Sequence, residues 1–127
     1  MAASDHLGAQ WMSMDQIKGL TSVDAEAEND YRVDQGKPPM DTHVSSILPR
    51  KRADIAGDPE RYGALRESMQ AHGQTVPLAV NAGYLLNGGH RVAVAEDLGW
   101  KGMHVSPDHE ASEDRAWNKA NPRAAWD

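Results

Sequence analysis

The residues best placed to do chemistry are Gly88-Gly89-His90-Arg91, which follow the strand-forming run Tyr84 to Leu86 and precede Val92, Ala95 and Leu98 at helical spacing. A strand that passes through two glycines into a helix turns the first N–H groups of that helix outward, where they carry the positive end of its dipole. With an imidazole and a guanidinium in the first turn, the arrangement suits an oxyanion. Gly88, Gly89, His90 and Arg91 are therefore the candidate phosphate-binding residues. The bland alternative is a tight strand-to-helix turn with an exposed histidine and a surface arginine, since a short glycine motif is a weak signal by itself.

Other chemistry-bearing residues are less well arranged. Arg50-Lys51-Arg52 is a basic triplet that could meet nucleic acid, but it has no aromatic neighbour for stacking and reads as a solvated loop. His104, Asp108 and His109 straddle Pro107 and share no helix or strand face, so no metal site is assigned. Glu67, Glu96 and Asp97 read as solvated charge on helix surfaces, and no catalytic residue follows from them. Trp100 is expected to cap a small core, whereas Trp117 and Trp126 belong to a docked tail or an interface.

At 127 residues, with 39% hydrophobic and 25% charged side chains, the chain has the size and balance of one modest domain. It contains no Phe and its mean hydropathy is -0.68, so Leu, Val, Ile, Met and Ala must build a small core with the Trp and Tyr residues. The absence of cysteine excludes disulfides, a thiolate nucleophile and metal–thiolate sites. No apolar run approaches a membrane span and no leader pattern opens the chain, which makes a cytoplasmic protein the expectation. The net charge of -6 is uneven: residues 1–43 carry eight acidic and three basic side chains, whereas residues 44–105 carry six and seven. Such a balance lacks the basic footprint of a nonspecific DNA binder.

The elements that must hold these residues are partly legible. Residues 1–12 read as a mobile lead-in, and Ser13 with Gln16 has capping-box spacing for a short helix through Leu20. Thr21 or Ser22 starts a polar helix that ends near Gly36, ahead of Pro38 and Pro39. His43 to Leu48 is expected as a strand, interrupted by loop chemistry at Pro49 to Arg52 and at Gly57 to Pro59. Asp58 or Pro59 opens a helix closed by Gly73, and Val76 to Val80 forms a hairpin with Tyr84 to Leu86. Gly102 to Val105 is a last short strand.

Two pieces of this order resemble the ParB/sulfiredoxin superfamily, in particular its ParB N-terminal-like ("ParB-like nuclease") domains. Leu65 to Val80 is similar to the family's helix, turn and strand, and Tyr84 to Arg91 stands in the place of its G-E-R-R or D-G-H-H-R box. Leu98 to Val105 is similar to the closing piece. The resemblance covers about half the chain and implies an α+β fold, a small mixed sheet packed by helices. Residues 1–43 would be an acidic, partly helical N-terminal extension, 44–105 the ParB/sulfiredoxin-like domain and 106–127 a polar tail.

The resemblance further implies that the box lines a pocket for nucleotide phosphates, with a ribonucleotide (CTP, ATP or ADP) and Mg²⁺ as ligand. Gly88 matches the box glycine, Arg91 its final arginine and His90 a position held by Arg or His, while Arg50 matches an early basic residue reaching the pocket. Gly89 stands where ParB has glutamate and sulfiredoxin its catalytic cysteine, which excludes sulfiredoxin chemistry. Ala93 replaces a second arginine of the box and removes one cation. Only 22 residues follow Val105, so the expectation is a stand-alone module rather than a whole partitioning protein, of a kind suited to a phage or other mobile element. Two alternatives remain: a noncatalytic protein with a degenerate pocket that binds another macromolecule, a protein or DNA partner, through its acidic extension or tryptophan tail, and a ParB-like nuclease or DNA-binding protein.

Overall fold

The computed structural model describes residues 10–107, and the tail tryptophans Trp117 and Trp126, like Asp108 and His109, lie outside them. The fold is α+β. In chain order it runs β1 (Gln10–Ser13), α1 (Met14–Lys18), β2 (Thr21–Ser22), α2 (Val23–Asp34), α3 (Val44–Gly57), α4 (Pro59–His72), β3 (Leu78–Asn81), β4 (Tyr84–Asn87), α5 (Gly89–Asp97) and β5 (Gly102–Ser106). One mixed sheet has the order β1-β5-β3-β4-β2. β1 pairs antiparallel with β5, β3 antiparallel with β4, and the β3–β5 and β4–β2 pairs are parallel.

Local chemistry explains most boundaries. Ser13 and Gln16 form the expected capping box: the Gln16 amide donates to Ser13 Oγ at 3.2 Å and the Ser13 amide to Gln16 Oε1 at 3.1 Å. Ser22 caps α2 through the Ala25 amide at 3.1 Å. Asp58 caps α4 through the Arg61 amide at 3.1 Å, with Pro59 in the first turn, and Gly73 at φ 71° ends it. The β3–β4 turn places Ala82 at φ 53° and Gly83 at φ 82°, the paired positive values that suit a two-residue hairpin.

Two expectations are corrected. His43 to Leu48 is not a strand and Pro49 to Arg52 is not a loop, because α3 runs continuously from Val44 to Gly57 with Pro49 inside it. Val44, Ile47, Leu48 and Lys51 recur at helical spacing and all are buried, and this stripe outweighs the proline. Pro49 and Ser45, whose carbonyl loses its helical partner, both face solvent, which lowers the cost of the missing bond. Residues 10–12, read as part of a lead-in, belong to β1, where Trp11 pairs with His104 and Met12 with Met103.

The stretch 10–22 supplies both outer strands of the sheet. Met14 and Ile17 of α1 join the same core as Leu48 of α3, Leu65 and Met69 of α4, Leu78, Leu85 and Met103 of the sheet, and Val92 to Ala95 of α5. Trp100 packs against this core as a partly buried neighbour, as expected. All seven residues from Gly89 to Ala95 are buried, so α5 is enclosed on every side over its first two turns.

Candidate functional site

The turn from β4 into α5 has the geometry the sequence suggests. Gly88 adopts φ 116° and ψ 15°, and a Cβ there would also collide with the Leu78 side chain, so the left-handed backbone and the close packing both require glycine. Gly88 offers no side-chain cap, and α5 starts without one. Gly89 is a glycine for another reason. A Cβ on it would stand 2.9 Å from Lys51 Cε and 3.6 Å from Lys51 Nζ, because the lysine stem lies across it.

Lys51 is thereby placed where its charge matters. Only 9% of the residue is exposed, and its ammonium sits beside the start of α5. A cation at the positive end of a helix is disfavoured by about 0.3–1 kcal/mol, so the position calls for an anion shared between the two. In this structure Asp24 of α2 supplies it, with Oδ2 at 2.8 Å from Nζ. The neighbouring Arg50 donates through Nη1 to Glu28, one turn further along α2. Asp24, Glu28, Arg50 and Lys51, with Ala27 and Tyr31, line a cavity of about 630 Å³ between α2 and α3.

His90 and Arg91 face the protein instead. His90 is 6% exposed, and its Nε2 lies 3.0 Å from Asp54 Oδ2 while the ring packs on Tyr62 with centroids 4.6 Å apart. Arg91 is also 6% exposed and donates through Nη1 to the Val76 and Pro77 carbonyls at 3.2 and 3.4 Å. Its Nη2 reaches back to 3.3 Å from the Cβ position of Gly88. These two side chains hold the start of α5 against α3, α4 and the approach to β3.

Of the residues expected at the site, the structure buries Gly88 against Leu78 and Gly89 under the Lys51 stem, and sets Arg50 on the wall of the adjoining cavity, whose lining includes neither glycine. It directs His90 and Arg91 to protein partners. The group that sequence reasoning missed is Lys51, hidden in a triplet read as loop. Its signal was the spacing Val44, Ile47, Leu48, Lys51, which places it on the buried stripe of a helix.

The helical carboxylates are tied structurally. Glu96 accepts from Lys18 at 2.6 Å and from Arg52, and Asp97 accepts from Arg52 Nε at 3.0 Å. The Lys18 hydrogen bond and, behind it, Arg52 hold the Glu96 carboxyl below the usual carboxylate range, against the opposing effect of burial. Among the described residues no group of three or more His, Asp or Glu side chains is arranged to hold a metal ion. No helix among them is long and apolar enough to cross a membrane.

No protein-family model, curated protein or solved structure matches this chain.

Proposed function

We propose that the chain is a ParB-like module that binds a phosphate-bearing ligand, a ribonucleotide such as CTP, ATP or ADP with Mg²⁺, in a cytoplasmic setting, at the mouth of the cavity lined by Lys51 and Arg50, beside the Gly88-Gly89 start of α5. The observation that carries this reading is the buried Lys51 ammonium set against the uncapped positive end of α5. Two positive groups held together in a partly desolvated place are stabilised by an anion that touches both.

The test is a thermal-shift titration with CTP, ATP, ADP and GTP in Mg²⁺, comparing the parent protein with Lys51→Met. Methionine keeps the stem over Gly89 and removes only the charge. A nucleotide-specific rise in Tm that disappears in Lys51→Met is the expected outcome, and equal responses in both proteins would refute the site. Arg91→Ala is a poor control here, because Arg91 satisfies buried carbonyls and its removal disturbs the fold.

A second reading, an interaction protein without a ligand, is favoured by one observation. α2 exposes Tyr31 and Val33, which are 64% and 48% accessible on an otherwise polar helix. A Tyr31→Ala variant that retains every partner captured by the parent protein would remove it.

A further inference from the structure

The cations of the mouth are both held by one helix. Asp24 and Glu28 lie four residues apart on α2, about 6 Å along its axis, and take Lys51 and Arg50 respectively. Ala25 is the only fully buried residue of α2, and the two ion pairs bridge this helix to α3 across the cavity. The carboxylates are also easy to release. The Asp24 side chain is 60% exposed and that of Glu28 32%, whereas Lys51 is held at 11%. An exposed carboxylate loses little by rotating into water, while the lysine cannot follow it.

We propose that Asp24 and Glu28 form an acidic latch, an internal anion that occupies Lys51 and Arg50 until a ligand carrying at least two linked phosphoryl groups displaces both carboxylates. This rests on the phosphate-binding reading above and adds to it a competitor built into the fold. Each carboxylate contributes one charge at one cation. A chain of linked phosphoryl groups spans both cations with a single ligand, so it competes where orthophosphate, able to reach one cation at a time, does not. The latch also keeps the mouth close to electrically neutral when empty: two acidic groups face two basic ones. A buried lysine beside a positive helix end is then never left without a counter-charge.

The experiment is isothermal titration of tripolyphosphate, without metal and at low ionic strength, into the parent protein, Asp24→Asn/Glu28→Gln, Asp30→Asn/Asp34→Asn and Lys51→Met. Asp30 and Asp34 are exposed residues of the same helix outside both pairs, so their variant removes the same formal charge without touching the latch. The latch variant should bind about tenfold more tightly than the parent, as expected for losing two partly exposed competitors, and the control variant should bind as the parent does. Orthophosphate should bind weakly to the parent. Equal affinity in the latch variant and the parent, with binding lost in Lys51→Met, would overturn the latch and leave the site standing. Equal tightening in the control variant would also overturn it, as an effect of net charge. Failure of all four proteins to bind, or undiminished binding by Lys51→Met, would overturn the site itself and the latch with it. Unchanged Tm values across the acidic variants exclude loss of folding as the cause of any difference.

Discussion

Adjacent glycines at 88 and 89 do different work, and substitution should separate them. Gly88→Ala meets both a positive φ and the Leu78 side chain, which is part of the core. It should cost about 3 kcal/mol, combining backbone strain with overpacking, as read by urea denaturation. Gly89→Ala meets only the flexible Lys51 stem, so it should change stability by less than about 1 kcal/mol while weakening phosphate binding by moving the ammonium. Equal stability losses would contradict this assignment. Glu96 gives a pH signature at the same scale. Its carboxyl titrates below its unfolded value of 4.5, so its contribution to stability is complete above that value and is lost as pH falls through the lower folded pKa. Glu96→Gln should therefore flatten the fall of stability below pH 4.5, followed by thermal denaturation across pH. At this scale the glycine turn was legible because the left-handed backbone at Gly88 is a local constraint. Lys51 was not, because what makes it important is a contact with Gly89 from another helix.

At the scale of elements, the reading succeeded where signals lay in the cap residues and failed where they had to be weighed against burial. Ser13, Ser22, Asp58 and Gly73 each mark a helix end that the structure contains. The α3 helix was missed because Pro49 and three consecutive cations are ordinary loop vocabulary. The buried stripe from Val44 to Lys51 recovers, through packing, the cost that the proline imposes. That cost should be measurable. Pro49→Ala restores the amide that can reach the Ser45 carbonyl, and thermal or urea denaturation should show a gain of about 2 kcal/mol, after subtracting the entropy that proline removes from the unfolded chain. A loss of stability would mean that the proline ring has a packing role on α3. The hairpin was readable from its turn residues, whereas β1 and β2 were not. At four and two residues, they acquire their identity from the strands beside them.

For the whole molecule, the α+β class and a mixed sheet were expected from the family resemblance, but the participation of the N-terminal stretch was not. Pro38-Pro39 and the change in charge suggest a break near residue 43, and the sheet passes across it: β1 and β2 form its two edges while Met14 and Ile17 enter the core. A fragment of residues 44–127 should accordingly fail to unfold cooperatively by calorimetry, because it loses both outer strands and two core side chains at once. Cooperative melting of that fragment would show that the sheet is stable without its edges. Enclosure of α5 buries its first turn, whereas Lys51, beside the start of that helix, also lines the cavity between α2 and α3, which is where the proposed ligand would approach.

The strand order also has a consequence for how the chain reaches this fold. β5, the last strand in sequence among the described residues, lies between β1 and β3, so Gln10 finds its place only by pairing beside Val105. Nearly the whole described chain must exist before the first strand has a partner. Closing so long a loop slows folding and makes a late, nonlocal step of it. A growing polypeptide that has not yet extended past Ser106 therefore leaves one backbone hydrogen-bonding edge of β3 unpaired and Trp11 without its seat over Gly102. Synthesis of the final strand, rather than of any helix, sets the moment at which the nascent chain can become a protein.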